Sequence, residues 1–165
     1  MMIDAHSDTP EIVKISEAKL HDKNFLRYLN LAAYSMIIFD RAYNHYLQFA
    51  RWTAQKVNFV CRLKKNAVYQ AQEVLFQQDL LNDEQGVLCE EHIHLAYREG
   101  NLEKTLCLRK VRYRDEKGRM YDFITNNFEV SREEVAFIYK LRWNIELLFK
   151  KLKQNFQLQI GRAHV

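Results

Sequence analysis

SREEVAFIYKLRWNIELLFKKLKQNF, residues 131–156, reads as one long amphipathic helix. It opens on a capping box: Ser131 can cap the first turn while Glu134, three residues on, reaches back. No Gly or Pro interrupts it, and Ile138, Leu141, Ile145, Leu148, Leu152 and Phe156 recur at helical spacing. At 100° per residue, Tyr139, Arg142, Glu146 and Lys153 fall within an arc of roughly 60° beside that apolar stripe. A carboxylate thus stands among two cations and a phenol at the edge of a buried face. That arrangement suits a metal-binding acid next to phosphate-binding cations.

Arg142 and Glu146 are also an i, i+4 pair, which on its own would suit a solvated helix face at a few tenths of a kcal/mol. The full spacing says more. Tyr139, two residues, Arg142, three residues, Glu146, six residues, Lys153 resembles the Y-(2)-R-(3)-E-(6)-K signature of IS4-type insertion-sequence transposases. Trp143 after the arginine and Ile145 before the glutamate fit that pattern as well.

A chain of 165 residues is long enough for one domain with a core of its own. At 48% hydrophobic and 28% charged, with four Gly and one Pro, its composition is globular rather than disordered or fibrous. A net charge of +4 permits a polyanionic partner without requiring one. Cys61, Cys89 and Cys107 are odd in number and widely spaced, as expected of reduced thiols in a cytosolic protein. No apolar run reaches the length of a membrane span, and the first residues lack the order of a signal peptide. An intracellular, cytoplasmic protein is the expectation.

Along the chain, residues 1–4 and 11–16 (EIVKIS) predict a β-hairpin, with Pro10 at the start of the second strand. Residues 18–31 predict a short helix with Asp22 near its N-cap. Met36–Phe39 (MIIF) is a fully apolar strand ending on Asp40, and residues 40–56 predict a helix leaving it. An acid at the C-terminal end of a buried strand lies where open α/β sheets place their ligands, although a helix cap would also use it. The next strand, residues 57–63 (VNFVCRL), leads into Lys64 and Lys65. Residues 66–85 show little periodicity and predict a connection with one helical turn at most. Residues 86–97, 104–114 and 119–125 alternate as strands, with DEKG at 115–118 as a turn.

Arg109, Lys110, Arg112 and Arg114 make the second of these strands the most basic part of the chain. With Tyr113 and Tyr121 nearby, they fit either a rim that holds a DNA backbone or charges that protect a sheet edge. Cys89, His92 and His94 do not make a zinc site, because the two histidines share one strand face and the cysteine takes the other.

The resemblance extends from residue 1 to about residue 159, and it implies an α/β, RNase H-like catalytic domain of a DDE transposase. Asp40-Arg41-Ala42-Tyr43 resembles the D-R-G-Y element that carries the family's second catalytic aspartate, with Ala42 in place of the glycine. Lys64 and Lys65 resemble its basic R-x-K-x-N segment, and residues 66–130 its β-rich insertion ahead of the glutamate helix. The implied activity is metal-dependent DNA strand cleavage and transfer at transposon ends. Asp40 and Glu146 would hold Mg²⁺, with Mn²⁺ able to substitute, in a two-metal site whose ions lie about 3.5–4 Å apart. Tyr139, Arg142, Lys153, Arg41, Lys64 and Lys65 would contact DNA, and the intact parent would act as a homodimer on double-stranded DNA. The family's first aspartate belongs to an earlier strand, and Asp4 and Asp8 sit in the hairpin instead, so a fragment inactive by itself is expected. The alternative is a non-catalytic DNA-binding remnant. Residues 160–165 (IGRAHV) back-translate to a sequence that resembles a common sequencing-library adapter and are set aside as a non-native tail.

Overall fold

The computed structural model describes residues 2–3, 10–12, 30–39, 45–78 and 86–156; for positions 2–3, 10–12, 145, 146 and 148–156 the description covers the strand or helix without its side chains. The helix expected at residues 18–31 lies outside the described residues up to residue 29, and residues 30 and 31 are not helical; Asp22, Asp4, Asp8, Asp40, Arg41 and residues 160–165 also lie outside them.

The chain divides into two units, residues 17–139 and residues 1–16 with 140–165. The larger is built on a six-stranded mixed sheet. Strand β3 (Met36–Phe39) runs parallel to β4 (Asn58–Arg62), with Phe39 level with Cys61. Parallel neighbours need a crossover, and here it contains helix α1 (Tyr46–Ala54). His45 caps that helix by accepting the Gln48 backbone N–H on Nδ1 at 3.2 Å. Phe49 and Trp52, three residues apart, share a face and are fully buried. Phe49 lies 5.4 Å from the Phe39 ring and 4.6 Å from that of Phe59, so one aromatic cluster joins α1 to both parallel strands.

Beyond β4 the sheet continues antiparallel through β5 (Gln70–Gln77), β6 (Gly86–Glu99), β7 (Leu102–Arg114) and β8 (Met120–Thr125), in the spatial order β3-β4-β8-β7-β6-β5. Alternate residues of these strands serve the two faces. Ile93, Leu95, Leu106, Leu108 and Ile124 complete the core under α1. On the other face Phe123 stacks on Tyr139 of helix α2 (Arg132–Phe156), with ring centres 4.5 Å apart. The smaller unit contains a two-stranded antiparallel sheet, β1 (Met2–Ile3) with β2 (Pro10–Ile12), and the part of α2 from Lys140 onward. The result is a mixed α/β fold of RNase H-like type. Among the described residues no helix is long and apolar enough to cross a membrane.

Three expectations need correction. Residues 66–85 hold a strand, β5, rather than a bare connection. QAQEVLFQ is mostly exposed at the edge of the sheet, so no buried face imposes a period of two on its sequence. Strands β6 and β7 are each longer than their apolar alternation, because the outer part of this hairpin is exposed and its residues carry no burial signal. Gly100, at φ +61°, supplies the turn conformation that closes it.

The third correction concerns the basic rim. β7 is an interior strand paired on both sides, so it is not an edge to protect. Arg109 and Lys110 are buried, and neither is offered to a DNA backbone. Arg109 donates from Nε and Nη2 to Glu90 Oε1 at 2.9 and 2.6 Å, while Lys110 pairs with Glu91 and donates to the Tyr69 hydroxyl. Arg112 is bound to Asp122.

Candidate active site

The capping box expected at Ser131 is present in both directions. The Ser131 N–H donates to Glu134 Oε2 at 2.7 Å, and the Glu134 N–H donates to Ser131 Oγ at 3.2 Å. Those contacts with Ser131 hold the Glu134 carboxyl below its ordinary value. The chain enters the helix through TNNF (residues 125–128), whose asparagines act as local backbone partners. Asn127 Oδ1 accepts the N–H groups of Glu129 and Val130. Asn126 accepts the Phe59 N–H and donates to the Val57 carbonyl, fastening the end of β8 to the start of β4.

Arg109 completes this entry. Its Nη1 donates to the carbonyls of Asn127 and Val130 at 2.9 and 2.6 Å, so one buried guanidinium joins Glu90 on β6 to the loop that starts α2. Arg132, the first residue of α2, adds a longer contact to Glu90 Oε2 at 3.7 Å and lies over the Phe76 ring. These positioning residues were missed from sequence, where Arg109 reads as one more cation in a basic strand.

All four positions of the spaced motif fall on α2, which is unbroken from Arg132 to Phe156. The helix face differs from the expected stripe at its start: Val135, Ala136 and Tyr139 are buried, while Ile138 and Leu141 are only partly so. Tyr139 is fully buried against Phe123, so its ring packs in the core and its hydroxyl has no solvent exposure in this chain. Arg142 is half-buried. Two turns beyond Tyr139, position 146 returns to within about 20° of the same helix line. Positions 142 and 153 lie within about 60° of position 139 around the helix axis.

β3 and β4 finish at the same end of the sheet because they are parallel. Asp40 is the residue bonded to Phe39 at that end, and β4 leaves through Arg62, Leu63, half-buried Lys64 and exposed Lys65. β3 lies at the margin of the described sheet rather than at its centre; among the described residues its other side has no partner strand. β8, antiparallel to β4, begins at this end, and so does the turn that precedes it.

That turn is organised by Asp115, which accepts the N–H groups of Lys117 and Arg119, the Arg119 guanidinium and the Tyr121 hydroxyl. Burial alone would raise the Asp115 carboxyl, yet these donors outweigh it and hold it down at about 2. Its ordinary value is 3.8, so the folded state binds this proton less tightly than the unfolded one. The stability gained is therefore present above pH 3.8 and lost as pH falls through about 2. Acid unfolding followed by circular dichroism is expected to show a component in that window. Asp115→Asn should remove it, and an unchanged acid profile would contradict the assignment.

Among the described residues no group of three or more His, Cys, Asp or Glu is placed to hold a metal ion. Asp40 and Glu146 carry hard carboxylate oxygens, the donor type that suits Mg²⁺ or Mn²⁺.

The described residues thus hold a mixed sheet of RNase H-like type and a capped, unbroken helix that carries positions 139, 142, 146 and 153. Residues 1–164 match the family described as "Transposase DDE domain", and the chain belongs to it. Over 159 residues it is 26% identical to "Putative transposase y4zB" of Sinorhizobium fredii, covering 96% of this chain and 44% of that protein. Over 124 residues it is 30% identical to "Probable transposase for insertion sequence element IS5377" of Geobacillus stearothermophilus, covering 74% of this chain and 31% of that protein. The chain thus spans less than half the length of these relatives.

Proposed function

We propose that the chain is part of the catalytic domain of an IS4-type transposase that cuts and transfers DNA strands at the ends of an insertion sequence. The carrying observation is that Tyr139, Arg142, Glu146 and Lys153 all lie on one uninterrupted helix, whose first turns are fastened to the sheet by Phe123 and Arg109. Residues 1–159 belong to that catalytic domain as a part of it, with 66–130 as the β-rich insertion between Asp40 and Glu146.

Asp40 and Glu146 would hold Mg²⁺, with Mn²⁺ able to replace it. A divalent ion bound there would supply charge stabilisation at the scissile phosphate and lower the pKa of attacking water. The chain's own residues do the rest. Arg142 and Lys153 hold the phosphates of the cleaved end, Arg as a fork and Lys as a point charge. Arg41, Lys64 and Lys65 extend that hold at the exits of β3 and β4. Tyr139 serves by fixing the helix that carries the glutamate and the two cations. Full-length copies act as a homodimer on double-stranded DNA in the bacterial cytoplasm.

The test is end binding by a full-length transposase carrying this domain. Arg142→Ala or Lys153→Ala should each weaken binding and reduce the slope of log K against log salt by about 0.9. If both variants keep the parent affinity and slope, the two cations are ordinary helix decoration and do not hold DNA.

A further inference from the structure

The turn between β7 and β8 brings Lys117 and Arg119, which neither the helix motif nor the basic segment includes, beside Arg62, Lys64 and Lys65 at the exit of β4. Arg62 Cζ lies 4.7 Å from the centre of the Tyr121 ring and Arg119 Cζ lies 5.9 Å from it, so two guanidinium groups share one aromatic ring. Cation–π attraction fixes a guanidinium in place without cancelling its charge. The Leu63 N–H donates to the Asp122 carbonyl at 2.8 Å, which ties the exit of β4 to the start of β8. Arg62, Lys64 and Lys65 therefore occupy the same corner as Lys117 and Arg119. Lys65 and Lys117 are exposed, and the Arg119 side chain is 61% exposed.

Asp115 neutralises part of the Arg119 charge, and Glu116 is the other acid of the turn. Among the described residues of this corner the remaining balance is positive. Because Asp115 accepts two backbone N–H groups within the turn, the cations stand on a fixed frame rather than on a loose loop. They are spread along a strand exit and a turn instead of converging on one point, which suits a linear polyanion better than a single small anion. The Tyr121 ring is only 7% exposed, so it is not a platform on which an unpaired base could stack.

We propose that this corner is a second phosphate track, a sequence-independent contact with the backbone of duplex DNA in which Arg62, Lys117 and Arg119 act together with Lys64 and Lys65. It rests on the reading of the chain as a transposase domain and adds to it a surface contributed by the β insertion. The track lies at the sheet end where β3 and β4 both finish.

The experiment is fluorescence anisotropy of the 165-residue chain with a labelled duplex of arbitrary sequence, titrated across a salt series. Lys117→Gln with Arg119→Gln should weaken binding at least about tenfold at 0.1 M salt and make the salt slope shallower, by about 0.9 for each phosphate no longer neutralised. Arg119→Lys, which keeps the charge, should retain most of the affinity. Lys117→Gln alone keeps the test readable if the double variant melts early, since the backbone N–H of residue 117, not its side chain, serves Asp115. A folded double variant with the parent affinity and slope overturns the track, as does a parent chain that shows no salt-dependent binding. In either case the transposase reading is judged separately, by the end-binding test on Arg142 and Lys153.

Discussion

In a full-length transposase carrying this domain, Glu146→Ala is expected to lower metal-dependent strand cleavage at the element's ends by at least about a thousandfold, roughly 4 kcal/mol of transition-state stabilisation. Asp40→Ala should do the same. The reason is charge: two divalent ions held close together need several carboxylates, and removing one acid leaves at least one ion weakly bound. Binding to uncut ends should survive, because phosphate contacts depend on cations rather than on these acids. The same logic applies to the 165-residue chain by itself, which has two acids at motif positions. It should not nick supercoiled plasmid with Mg²⁺ or Mn²⁺. Metal-dependent nicking by this chain that disappears in both Asp40→Ala and Glu146→Ala would show that two acids suffice.

The second large effect is structural. Arg109→Leu should cost about 3–5 kcal/mol, read by urea unfolding, because it leaves the Glu90 carboxylate buried beside β7 without its main partner. The two side chains are 5% and 9% exposed, so water cannot take the place of the missing guanidinium. Arg132, 3.7 Å from the other carboxylate oxygen, compensates only in part. Adding Glu90→Leu should recover some of the stability, since no charge is then stranded. The Asn127 and Val130 carbonyls remain without the Arg109 donor, which should keep the double variant below the parent. A single variant within about 1 kcal/mol of the parent would mean that Arg109 does not anchor the entry to α2.

Where the sequence foretold the fold, it did so through periodicity or local chemistry. MIIF has no polar residue and formed β3 at its expected bounds. Ser131 and Glu134 are three residues apart, and a capping box needs nothing beyond that spacing. The DEKG turn was equally local, since Asp115 satisfies N–H groups two and four residues on.

What stayed hidden depends on pairing between distant segments. Glu90 and Glu91 on β6 look like two exposed acids, and Arg109 and Lys110 on β7 like two exposed bases. Only the register, which sets Glu91 opposite Lys110 and His92 opposite Arg109, brings a pair together on each face of the sheet. The β5 strand was illegible for a related reason: an edge strand with little buried surface has no hydrophobic face to write into its sequence. The spacing singles out Tyr139 as a candidate, but its burial follows from Phe123 on a strand reached only through the sheet. The same holds for the Arg62–Tyr121–Arg119 corner, whose two arginines lie 57 positions apart in sequence, from 62 to 119.

The most direct test is a crystal structure of this chain grown with Mn²⁺, read by its anomalous difference map. The expected result is a peak bound by carboxylate oxygens of both Asp40 and Glu146, at the sheet end where β3 and β4 finish. Asp40 and Glu146 on opposite faces of the sheet, with no shared ion, would contradict the assignment of these two residues as the metal-binding acids.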